Sequence, residues 1–175
     1  MDVLEILKKH YACDEGKDWW KGLGKTTPKK EWELCPRGDW LLWLMVELQM
    51  EEELLRKVLR KCIKPLVPLV PQKHQALCRK VLRQDPDTDE GRADQKELQD
   101  LVDLGRGFGC AVMYACYDAV DTVNFDLWAP LLNTCDALEN KEKGKKLNKK
   151  FAKIVRKEIP WRLVKKAVKM KGYLR

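Results

Sequence analysis

The arrangement in this chain closest to a nucleophile with its base is His74 and Cys78, four residues apart. At that spacing two side chains share one helix face, and a thiolate beside an imidazole is what cysteine nucleophiles use. Lys73, Arg79 and Lys80 surround the pair, so it reads equally as a solvated helix turn. No serine occurs anywhere in the 175 residues, which removes the serine–histidine–acid triad. Asp118, Asp121, Asn124 and Asp126 form a second cluster with metal-ligating atoms, although capping and solvation account for it more cheaply. Asp85, Asp87 and Asp89 alternate as in a calcium loop. There, however, Gly91 falls at the seventh place instead of the sixth, and Lys96 stands where the bidentate Glu belongs.

The seven cysteines are Cys13, Cys35, Cys62, Cys78, Cys110, Cys116 and Cys135. Their number is odd, no two have C-x-x-C spacing, and several lie in apolar runs. Structural zinc needs two tight Cys or His pairs that come together, and neither His10 nor His74 belongs to such a matched set. Reduced core cysteines are the expectation. "RGFGCAVM", Arg106 to Met113, opens like an RNA-recognition signature but places Cys110 where a stacking aromatic belongs. Gly105, Gly107 and Gly109 alternate without a following Walker lysine. No motif implies a cofactor, and no combination argues for turnover.

Charge is the stronger signal. The chain carries 35 Lys and Arg against 27 Asp and Glu. Residues 139–175 hold 15 basic and 3 acidic residues, a net of +12, whereas the preceding 138 hold 20 and 24, a net of −4. A slightly acidic body, 1–138, is thus followed by a strongly basic segment, 139–175. That segment is also patterned. Leu147, Phe151, Ile154, Val155 and Ile159 recur at helical spacing, and Trp161, Leu163, Val164, Ala167 and Val168 do so after Pro160. Two amphipathic helices packed on the body are expected, each burying one stripe. Lys141, Lys143, Lys145, Lys146, Lys149, Lys150, Lys153, Arg156 and Lys157 belong to the first. Lys165, Lys166, Lys169, Lys171 and Arg175 belong to the second and its end. Concentrated positive charge on exposed helix faces is the footprint of phosphate-backbone binding to duplex DNA or RNA. It also suits an acidic protein surface.

The elements that must position these residues are helical. Lys and Leu dominate, with Glu, Arg and Ala common, and Ile, Thr, Phe and Tyr are few. The spacing predicts an all-α, compact, bundle-like domain of about 8–10 helices. Val3, Leu4, Ile6 and Leu7 suggest a short first helix. Asp14 to Leu23 suggests a second that stops at Gly22 and Gly24. Thr27 followed by Pro28 marks a helix start. In "CPRGDWLLWL", Pro36 presets a start and Asp39 is placed to cap it, so the R-G-D tripeptide reads as the entry to a buried helix and not as an adhesion loop. Leu54, Leu55, Val58, Leu59 and Cys62 form the stripe of the next helix. Pro65, Pro68 and Pro71 mark a corner, and residues 85–94 an exposed acidic loop. Lys96 to Leu104 is the next helical stretch. The interleaved small, Cys and aromatic residues of "GRGFGCAVMYACYDAVDTV" suggest a tightly packed helix, and Pro130 starts another. No run reaches the roughly 18 apolar residues that span a bilayer, and "MDVLEILKKH" lacks the features of a signal peptide. A cytoplasmic protein with no membrane role is the expectation.

Two stretches carry a resemblance. "KKHYACDEGKDWW" with "EWELCPRGDWLLWLMVEL", and "FAKIVRKEIPWRLVKKAV", resemble the N-terminal and closing motifs of small helical proteins of gut bacteria and their phages, labelled immunity proteins. The matching pieces cover about a third of the chain. The middle departs from that pattern: it has the acidic "DPDTDEG" loop and the Cys-rich "GCAVMYACYDAV" helix where many relatives have Ala-rich helices. The resemblance implies a phage or mobile-element setting and a protein that works by binding; by analogy of genomic context alone, and with no residue encoding it, the target would be a defence nuclease, as for anti-CRISPR proteins. The alternative is a toxin-specific immunity protein with no nucleic-acid binding.

Overall fold

The computed structural model describes residues 12–84, 88–103, 108–119, 129–138 and 141–172. Among these residues the chain is all-α, as the composition predicts. Helix α1 spans Asp14–Gly22, α2 Pro28–Leu34, α3 Gly38–Glu47 and α4 Glu52–Ile63. A 3₁₀ segment, Lys64–Leu69, leads to α5, Gln72–Val81. Then come α6, Asp89–Asp103, α7, Phe108–Asp118, α8, Ala129–Asp136, α9, Lys141–Glu158 and α10, Trp161–Met170. The expected first helix around Val3–Leu7, residues 121–126 of the Asp118–Asp126 cluster and residues 85–87 of the expected acidic loop lie outside the described residues. The rest of the loop expected at 85–94 is corrected: from Asp89 on it is the first turns of α6, with Asp94 buried and held by Lys80 at 2.9 Å, because Thr88 Oγ1 accepts from Gly91 N and starts the helix there.

Local chemistry explains several boundaries. Thr27 Oγ1 accepts from Lys30 N at 3.3 Å, and Pro28 opens α2 where no donor is needed. Pro65 and Pro68 do not break the chain direction at random. A spacing of three residues matches one 3₁₀ turn, so the prolines stack along one side of Lys64–Leu69 and α4 passes through a tighter turn into the corner before α5. Leu55, Val58, Leu59, Cys62 and Ile63 bury one face of α4, and Glu52 reaches Arg56 at 2.6 Å on the same helix.

The basic helix α9 is structurally central. It packs most extensively on α3 and next on α8. Phe151, Ala152 and Val155 are fully buried on its inner stripe, as is Ile159 just past its end. Two close approaches fix its position. A Cβ on Gly38 would lie 2.4 Å from Phe151 Cβ and 2.7 Å from Ala152 N. One on Gly144 would lie 2.8 Å from Cys135 O in α8. Both glycines are therefore there because backbone meets backbone. Helix α10 sits at the periphery and joins the core through Val164 and Val168.

Candidate nucleic-acid interface

The start of α3 anchors the region. Its N-cap position is Arg37, which has no capping side chain of its own. The cap comes from α9: Asn148 Oδ1 accepts from Gly38 N at 2.7 Å, and Asp39 N lies 3.4 Å away. The expectation that Asp39 caps the helix is corrected here. Asp39 lies one residue inside the helix, with its side chain 2% exposed, and its carboxylate receives the Arg37 guanidinium through Nε at 3.1 Å and Nη2 at 2.6 Å. The physical reason is that a guanidinium fork two residues away satisfies both carboxylate oxygens at once, leaving the helix donors to Asn148. Arg37 also reaches Glu15 at 3.0 Å and lies 4.7 Å over the Trp40 ring. Burial works against its charge, but Asp39 and then Glu15 outweigh that and hold the group above its ordinary range.

The basic residues sort into distinct rows. On α9, Lys146, Lys150, Lys153 and Lys157 recur at intervals of three and four and are all exposed. They form an outer row about 17 Å long at 1.5 Å rise per residue. Lys141, Lys145 and Lys149 form a second exposed row on the flank, and Lys143 is exposed as well. On α10, Lys165, Lys166 and Lys169 are exposed, and so is Lys171 just beyond its end, where its amine contacts the Gln49 side chain. Arg175 lies outside the described residues. Arg162, absent from the sequence-based set, shares the i, i+3, i+4, i+7 stripe of Lys165, Lys166 and Lys169 and is exposed. Its spacing was the available signal.

Arg156 does not join these rows. Its Nη1 donates to Cys35 O at 2.6 Å and is 3.5 Å from Trp32 O, closing the C-terminal end of α2. An unpaired carbonyl end attracts a cation, and burial lowers this guanidinium below its ordinary range. The remaining lysines contrast with the body. There, ion pairs are frequent: Lys17–Asp14 at 2.9 Å, Lys80–Asp94 at 2.9 Å and Arg60–Glu53 at 3.3 Å. Glu158 at the end of α9 pairs with Lys61 of α4 at 2.5 Å. Among the described residues, no carboxylate lies within ion-pair range of the outer row of α9.

A cleft of about 840 Å³ adjoins the flank row. Trp19, Pro36, Arg37 and Trp40 line one side, and Lys141, Lys145, Asn148 and Lys149 line the other. Cys135 also lines it, and its thiol is pushed up to about 12, by burial first and by the negative charge of Asp39 next. It stays protonated, as does Cys35 at about 12.

The catalytic candidate of the sequence takes a different form. Cys78 is fully buried and neighbours the equally buried Cys116 of α7, so it faces a second thiol and is shut away from solvent, while His74 is half-buried. Among the described residues no group of three metal-ligating side chains converges, and no helix is long and apolar enough to cross a membrane. No protein-family model matches this chain, and no curated protein or solved structure matches it.

Proposed function

We propose that this chain works by binding: a phage or mobile-element interaction protein that inhibits or neutralises a nucleic-acid-handling target in phage–bacterium conflict, its basic face seated on the phosphate backbone. One observation carries the binding half of this reading. The outer row of α9 presents four lysines at helical spacing with no described carboxylate in ion-pair range, while the same helix buries its opposite stripe in the core. A merely solubilising surface is usually charged with both signs interspersed; here one sign is concentrated on a rigid helix, which is what phosphate contacts require. The conflict setting is supported by the motif resemblance alone, "CPRGDWLLWL" at one end and "IVRKEIPW" at the other.

The test is a fluorescence-anisotropy titration of a labelled DNA duplex and an RNA duplex with the full chain at low salt. Saturable binding that Lys146→Glu with Lys150→Glu weakens by roughly tenfold or more supports the reading. No binding to either duplex at low salt refutes it and leaves the toxin-specific immunity protein, which recognises protein alone.

A further inference from the structure

The cleft beside the outer row has a different chemistry from the row itself. Its basic side is built from Lys141, Lys145 and Lys149, spaced four apart on one exposed flank of α9. Among the described residues none of the three has a carboxylate in ion-pair range. Its opposite side is aromatic. Trp40 is nearly buried and Arg37 lies 4.7 Å over its ring, so it forms the floor. Trp19, whose ring centroid is 6.1 Å from that of Trp40 and 4.8 Å from that of Trp20, remains partly exposed and forms a wall.

The polar groups between the two sides are already oriented. Asn148 is 4% exposed, and its oxygen is committed to Gly38 N, so what it can offer to the cleft is an N–H donor. Arg37 is held by Asp39 and Glu15, which also answers the Glu15 charge; Asp136, exposed at the rim, is the other lining carboxylate. A ligand with only a phosphate would leave the tryptophan wall unused, and an apolar one would strand three ammonium groups. A volume of about 840 Å³ lies within the range of about 300–1,000 Å³ seen for small-molecule sites.

We propose that this cleft binds one nucleotide, the phosphate against Lys141, Lys145 and Lys149 and the base against Trp19. The inference deepens the phosphate-binding reading, since it uses the same helix, and it rests on that reading for the preference for nucleic-acid chemistry. The same chemistry is offered by a free nucleotide and by the end of a single strand.

Isothermal titration of the full chain with adenosine monophosphate, adenosine, inorganic phosphate and a short 5′-phosphorylated single strand tests it. Adenosine monophosphate should bind at least about tenfold tighter than adenosine or phosphate alone. Lys145→Glu with Lys149→Glu should weaken it by about tenfold or more, whereas Lys153→Glu with Lys157→Glu on the outer row should change it by less than about twofold. All four lysines are exposed, so these variants should fold; Trp19→Phe, which keeps a stacking ring, should retain most of the binding. A strand that binds tighter than the mononucleotide identifies a strand end as the occupant, and the reverse order a free nucleotide. No saturable binding of adenosine monophosphate, equal binding of phosphate, or indifference to the Lys145/Lys149 pair would overturn the proposal. Duplex binding lost with mononucleotide binding intact would instead remove the proposed function and leave the cleft.

Discussion

Asp39→Ala is the most informative stability variant, because two physical accounts give different magnitudes. If the residue merely complemented the positive end of α3, its loss would cost about 1 kcal/mol or less. The structure gives it more to do. Its side chain is 2% exposed and accepts two hydrogen bonds from the Arg37 guanidinium, at 3.1 and 2.6 Å. Breaking a fully buried pair costs about 3–5 kcal/mol. Here the orphaned partner fares better than that, because the Arg37 side chain is 22% exposed and keeps Glu15 at 3.0 Å. The expected loss is therefore about 2–3 kcal/mol, between the two limits. For a chain of this size that lowers Tm by about 5–10 °C. Urea unfolding followed by tryptophan fluorescence reads it as a lower midpoint with unchanged slope. A double-mutant cycle with Arg37→Ala then isolates the coupling, which should be about 1.5 kcal/mol or more. A loss below about 1 kcal/mol with negligible coupling would refute the fork as the element holding this helix start.

Further expectations concern packing and thiols. Gly38→Ala should destabilise by about 3 kcal/mol, since its methyl would meet Phe151 Cβ and Ala152 N, neither at the end of a movable side chain; the same unfolding assay checks it. Cys35 and Cys135 are held near 12 by burial against an ordinary value of 9.0, so the unfolded chain releases their protons first. Their contribution is complete below pH 9 and lost as pH rises from there toward 12, at up to about 1.4 kcal/mol per pH unit for each thiol. Urea midpoints at pH 8 and pH 10 should fall in that order, and Cys135→Ala should flatten the dependence. Cys13 is exposed and should react at once with a thiol reagent, whereas Cys35, Cys62, Cys78, Cys116 and Cys135 should react only as the chain opens, as mass-resolved labelling can show.

What the sequence disclosed follows from how local each interaction is. The α2 start at Thr27 and Pro28, the buried stripe of α4 and the lysine rows of α9 and α10 are set by neighbours three or four residues apart. Proline spacing indicated a corner, though not that a 3₁₀ turn would carry it. The cap of α3 was hidden because its acceptor, Asn148, is 110 residues from Gly38. Arg156 read as one more surface cation until the carbonyl end of α2, more than 120 residues away in sequence, was brought against it. The cleft was hidden for the same reason: Trp19 of α1 reaches it by packing on Trp40 of α3, and Lys145 by the packing of α9 on α3. Arg162 is the exception, since its stripe was visible in the sequence.

The outer lysines of α9 are proposed to contact nucleic-acid phosphates. The salt dependence of duplex affinity tests it most directly, because log K falls with log salt by about 0.9 per phosphate neutralised. The full chain should show a slope of about 3–5 in magnitude, and Lys150→Glu with Lys153→Glu and Lys157→Glu should reduce it by about 2–3 as those contacts are lost. A slope near zero, or one that the three reversals leave unchanged, would contradict the account.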